Sequence, residues 1–221
     1  MNPNKDAKLR KKWKQNINII KRDMGDLLTS RMIFNELGEI IKKNTALQKT
    51  PGLFFEWIKD NYVARMAVAV RRLADQDKRS ISLLNLITEL QKNKDALSRK
   101  YFLSKYSMAD HDMADPDYDS FACKNSKSLS DFKLKSDKIK ILKHTKKIKC
   151  FVDKWVAHHD YDRSVAIKKL PTFSDLNDTL NQLDEITCKY DMLLTGGGMT
   201  SCEPTIQFYW KEPLTIPWIN T

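Results

Sequence analysis

Apolar residues recur at three- and four-residue intervals along most of the chain, the period of helices with one buried stripe. Ile17, Ile20, Met24, Leu27 and Leu28, continued by Phe34, Leu37, Ile40 and Ile41, predict a first helix over residues 5–44 with a break near Gly25. Pro51 and Gly52 punctuate, and Pro51 suits the first turn of the next helix. That helix, over 52–77, carries Phe54, Phe55, Trp57, Ile58, Tyr62, Met66, Val70 and Leu73. Its apolar residues cover so much of the circumference that a central place in a bundle is expected. Ser80 or Ser82 caps a short third helix bearing Leu83, Leu84, Leu86, Ile87 and Leu90, and a fourth is predicted over 95–107.

Residues 108–127 break the pattern with a polar stretch rich in aspartate. Asp115, Asp117 and Asp119 alternate like the first ligands of a calcium loop. Ser120 and Ser126, however, stand where that loop needs Gly and Glu, so an exposed acidic loop is expected. From Ser128 or Ser130 a long helix runs to about His159, with Leu134, Ile141, Leu142, Thr145, Ile148, Val152 and Trp155 on its buried face. Lys138, Lys140, Lys143, Lys146, Lys147 and Lys149 give it a broad basic face. Thr172-Phe173-Ser174-Asp175 has capping-box spacing and opens a last helix that Gly196-Gly197-Gly198 stops.

Beyond it, Pro204, Pro213 and Pro217 forbid another long helix. Ile206, Phe208, Trp210 and Trp218 predict an extended tail packed on the bundle or on a second chain, with room for one short strand at 205–210. The expected fold is all-α: a bundle of five to seven helices over 1–198 with an acidic insertion at 108–127, then an extended, Pro-rich tail at 199–221.

Composition agrees with helices, since 221 residues contain only six Gly and seven Pro, while 41% are hydrophobic and 30% charged. The net charge of +11 is unevenly placed. Residues 1–108 carry +12, residues 109–119 carry −5, residues 120–154 carry +8 and the remainder −4. Two basic blocks suit nucleic acid or an acidic partner. No apolar run is long enough to span a membrane, and the basic N-terminus lacks the apolar stretch of a signal peptide, so a cytoplasmic location is expected. Cys123, Cys150, Cys188 and Cys202 have no zinc-type spacing and read as thiols in a reducing compartment.

Of four histidines, His111 lies in the acidic segment and His144 stands alone among lysines. His158 and His159 end the long helix beside Lys154 and Asp160, and Lys154 shares a helical face with His158. Adjacent histidines point about 100° apart on a helix, so this pair makes no metal site and no metal or other cofactor is expected. Arg71 and Arg72 sit on the apolar second helix, where Arg72 and Asp75 could pair to fix register; alternatively, one arginine reaches the histidines if the two helices lie side by side. The N-terminal Lys8–Lys14 stretch sets Trp13 among lysines, a place where a base could stack. The five aspartates Asp110, Asp112, Asp115, Asp117 and Asp119 could fold over basic surfaces in place of phosphates.

The run Lys154-Trp155-Val156-Ala157-His158-His159-Asp160, then Pro171-Thr172-Phe173 and a last helix ending Leu193-Leu194-Thr195-Gly196, resembles the abortive-infection type of HEPN-like family. Val70-Arg71-Arg72-Leu73-Ala74-Asp75 and Arg79-Ser80-Ile81-Ser82-Leu83-Leu84 resemble that family's central helices. The resemblance covers roughly residues 30–195. It implies an all-α, commonly dimeric protein of prokaryotic defence and toxin systems, and a protein partner in such a system is expected. It also implies metal-independent RNA cleavage by an Arg followed four to six residues later by His. Here none of residues 151–154 is Arg, and Lys154 with His159 comes nearest. On this resemblance His158, His159 and Lys154 are the candidate catalytic residues, and Arg71, Arg72, Lys146 and Lys147 the candidate RNA contacts. The alternative is a non-catalytic module that dimerises or binds a partner and uses the His/Lys motif structurally.

Overall fold

The structure, a computed structural model, describes residues 3–49, 52–107, 111–157 and 170–215. Among them are eight α-helices: α1 Pro3–Lys43, α2 Thr45–Gln48, α3 Leu53–Leu73, α4 Leu83–Lys92, α5 Arg99–Leu103, α6 His111–Asp119, α7 Asp131–Phe151 and α8 Phe173–Thr195. That exceeds the expected five to seven, because Thr45–Gln48 and the acidic segment also form helices. The strand anticipated at 205–210 does not form; residues 201–207 are irregular and Glu212–Thr215 make a 3-10 turn.

α1 runs unbroken through Gly25. The glycine is needed for a close approach instead, since a Cβ there would come within 3.0 Å of the Cys202 carbonyl oxygen. The central element is α8, which packs on both α1 and α7 and buries Leu180, Leu183, Ile186, Tyr190 and Leu193. α3 does not take that place. Only its second half, with Met66, Ala67, Val70 and Leu73, enters the core, while Leu53, Phe54 and Trp57 are exposed. The end of α1 and the start of α3 thus stand outside the core, and Phe34 stacks on Tyr62 with ring centroids 3.9 Å apart.

Helix ends follow local chemistry. The Ser82 hydroxyl accepts from the Asn85 N–H, and that of Thr172 from the Asp175 N–H, at 3.0 and 3.1 Å; the Asp175 carboxylate returns a bond to the Thr172 N–H. Ser130, not Ser128, caps α7. Gly196 ends α8 with φ +79°, a conformation that costs glycine little. The helix predicted over 95–107 is split, because Ser98 turns extended and caps α5 after a 3-10 turn at Lys94–Leu97. Two buried carboxylates cross-link the long helices. Asp137 of α7 accepts from Lys189 and Tyr190 of α8 at 2.7 and 2.9 Å, and Asp191 of α8 accepts from Lys21 of α1 at 2.9 Å.

The expected acidic loop is a helix bound to the bundle. Arg99 bonds Asp115 at 2.6 Å and also Asp119, one turn apart on either side of Pro116, whose missing N–H would otherwise weaken so short a helix. The Tyr118 hydroxyl donates to the Leu97 carbonyl at 2.7 Å, and Ala114, Tyr118, Phe121 and Ala122 are buried. The Asp115 and Asp119 carboxylates therefore serve Arg99 and do not act as a phosphate substitute; an α7 lysine, Lys133, meets Asp119 only at its backbone carbonyl, and Asp110 lies outside the described residues. Arg99→Ala should lower stability by about 2 kcal/mol, since it strands two partly buried carboxylates. Thermal unfolding would read the loss, and amide exchange should rise across residues 111–119. An unchanged melting curve would mean that Tyr118 and Phe121 suffice.

Candidate functional site

α7 presents Leu134, Asp137, Ile141, Thr145 and Ile148 to the core and exposes Lys135, Lys140, Lys143 and Lys146. Phe132 and Ile139 lie on the same outer face, as does Leu142, which the pattern assigned to the core. At Val152 the helix widens into a π-turn through Val156, closed by the Ala157 N–H donating to the Val152 carbonyl at 2.8 Å. Such widened turns give poorer bonding than an α-turn and occur mostly where a side chain must be re-aimed.

What the π-turn carries is Asp153 and Lys154. α3 packs alongside α7 and this turn, and the Arg71 Nε donates to the Asp153 carboxylate at 2.6 Å. The pair is half-exposed, with 41% of the Arg71 side chain and 37% of the Asp153 side chain accessible. An arginine from α3 is thus held, by a charge-assisted bond, at the end of the lysine-rich helix. Lys154 is half-buried in the same turn. His158 and His159 lie outside the described residues, as does Asp160; in the chain, His158 follows Asp153 by five positions.

Arg72 does not pair with Asp75. Successive helical residues point about 100° apart, so Arg72 faces α1 and bonds Asp23 at 2.9 Å, on a groove that Asp26, Leu27 and Val68 also line. The arginine brought to the lysine helix is Arg71. Lys147 is engaged by Asp175 at 2.5 Å, whereas Lys146 faces outward. Trp13 is fully buried and donates its ring N–H to Glu89 at 3.0 Å, so it is a core residue and no stacking platform. The cavity between α3, α7 and α8, lined by Val63, Ala67, Ile148 and Phe173, is only about 60 Å³ and apolar. The polar chemistry lies on an open face, a form suited to a long charged ligand.

A family model for AbiU2, a HEPN type, matches residues 25–212. The chain belongs to this HEPN-like abortive-infection family. The match extends past the stretch on which the sequence resemblance rests, into the C-terminal region. No curated protein and no solved structure matches the chain. No helix among the described residues is long and apolar enough to cross a membrane. For this HEPN-like chain the site residue that sequence reading missed is Asp153. Its partner Arg71 lies 82 positions away, and only the packing of α3 on α7 brings them together.

The capping box beside this face is charge-sensitive. The Lys147 ammonium, then the Thr172 N–H and hydroxyl, hold the Asp175 carboxyl well below the usual carboxylate range. A carboxyl depressed on folding contributes stability that is complete above its unfolded value, near 4, and is lost as the pH falls below it. Wild type should therefore lose stability below about pH 4 more steeply than Asp175→Asn does, as read by melting temperature at a series of pH values. Parallel curves would exclude that contribution.

Proposed function

We propose that this protein binds RNA across the outer face of α7 and cleaves it beside the Arg71–Asp153 pair, as a metal-independent endoribonuclease of an abortive-infection system. The observation that carries this reading is the Arg71 bond to Asp153. It supplies, from another helix, the guanidinium that residues 151–154 lack. In the reaction the RNA 2′-hydroxyl attacks its own neighbouring phosphorus, leaving a 2′,3′-cyclic phosphate on one fragment and a 5′-hydroxyl on the other. His158 moves the proton, and His159 is the second candidate for that task. Arg71, oriented by Asp153, steadies the charge that builds on the phosphate oxygens, for which a planar fork is better shaped than an ammonium. Lys154 and Lys146 hold flanking phosphates. Arg72 and Lys147, each engaged by a carboxylate, contribute less.

A second reading has its own observation. Leu53, Phe54 and Trp57 are 81%, 51% and 61% exposed at the projecting start of α3, an apolar surface that suits a second copy of the chain or a protein partner. Under that reading the basic face is a docking surface and His158 is structural. The homodimer expected from the family resemblance belongs to this proposal too.

Labelled single-stranded RNA incubated with purified protein in EDTA tests both. Wild type should produce cyclic-phosphate ends, and His158→Ala should lower the rate by about 10²-fold or more. Arg71→Lys should also lose rate while retaining binding, because charge remains but the fork does not. Binding should weaken steeply with salt. RNA that is bound but never cut would reject the nuclease. No salt-dependent binding, together with self-association in light scattering that Trp57→Glu abolishes, would establish the second reading instead.

A further inference from the structure

Two of the four cysteines converge in the folded chain although no spacing announces it. Cys188 projects from α8 one turn after Asp184, and Cys202 returns from the segment that follows the glycine run. Their sulfurs lie 3.8 Å apart and both residues are buried. The Cys188 Sγ is also 3.8 Å from the Asp184 Oδ1, and one ligand atom from each of the three residues lies within 4.8 Å of the others.

We propose that Asp184, Cys188 and Cys202 bind a thiophilic divalent cation of the zinc type, which ties the C-terminal segment to α8. Tetrahedral zinc with sulfur ligands about 2.3 Å away sets two thiolates roughly 3.8 Å apart, and a carboxylate oxygen about 3.6 Å from each sulfur. The two sulfurs already have that separation, the Cys188 sulfur lies 3.8 Å from the Asp184 Oδ1, and the three ligand atoms lie within 4.8 Å of one another. A disulfide needs sulfurs about 2.05 Å apart, so the thiols stand at a coordinating distance and not a bonding one.

The outer shell is built as well. The Ser201 hydroxyl donates to the Asp184 Oδ2 at 2.7 Å and the Cys202 N–H to its Oδ1 at 2.8 Å, fixing the carboxylate's orientation. The absence of a Cβ at Gly25 lets the Cys202 backbone sit against α1 and completes the enclosure. Binding displaces one proton from each thiol into solvent while the carboxylate coordinates as it stands, and water takes the fourth position; nothing is oxidised or reduced. The cation is structural, joins residues 14 positions apart, and is independent of the proposed RNA chemistry.

Cobalt(II) added to the full-length, chelator-treated and reduced protein tests the site. One equivalent should give the intense visible bands of a tetrahedral ion and a thiolate-to-cobalt charge-transfer band, and zinc should bleach both. Cys188→Ser and Cys202→Ser should each lose the charge-transfer band, while Cys123→Ser and Cys150→Ser keep it. Asp184→Asn, which leaves both thiols in place, should weaken cobalt binding at least tenfold. Zinc should raise the melting temperature of wild type and leave that of Cys202→Ser unchanged. No charge-transfer band in folded wild type, the same band in both serine variants, or a Cys188–Cys202 disulfide in anaerobically purified protein would each overturn the proposal.

Discussion

Lys189, Tyr190 and Asp191, three consecutive residues of α8, hold the bundle in register. A buried carboxylate left unpaired is costly, so each buried acid admits few arrangements of its neighbours. Asp137 draws α7 onto Lys189 and Tyr190, and Asp191 draws α1 onto the opposite side through Lys21. Apolar stripes alone would let three long helices slide or rotate by a turn at modest cost; two charge pairs on buried carboxylates, made by residues two apart on α8, make such slips expensive. The far end of α7 inherits this precision. Asp153 lies 16 positions beyond Asp137, roughly 24 Å along the helix, so the anchor at one end sets where the other meets Arg71.

Much of the fold was legible in the amino-acid sequence because it is decided locally. Ser82, the Thr172–Asp175 box and Gly196 act within a few residues, and the long stripes of α1, α7 and α8 declare their own buried faces. Errors fell where a distant residue decides. Five aspartates around a proline read as a loop because Arg99, which neutralises two of them, is a separate element's residue. Asp137 reads as one more charge on a lysine-rich helix until α8 closes over it. α3 looks central because its apolar residues run its whole length, and a sequence does not say that Leu53, Phe54 and Trp57 stay exposed while Met66, Val70 and Leu73 are buried.

The candidate site divides the same way. Lys154 and the histidines are marked by position at a helix end, and a motif read along the chain finds no arginine beside them. On the proposed reading the guanidinium comes from α3, which would place the two halves of one motif on different helices. Neighbouring arginines then have different partners for a simple reason: a helix sends Arg71 to α7 and Arg72 to α1. The Arg71–Asp153 ion pair is a product of tertiary packing and not of chain order.

The π-turn at Val152–Val156 fits one more residue into a turn than an α-helix would. Its end at Ala157 is therefore one step out of phase with the lysine stripe that precedes it. The site's angular setting is therefore written in a residue count, not in the identity of any side chain. Removing a single residue from this turn would restore ordinary helical bonding and rotate Ala157 by about 100° relative to the lysine stripe. A deletion that improves the helix would thus cost the protein the alignment that its most irregular turn provides.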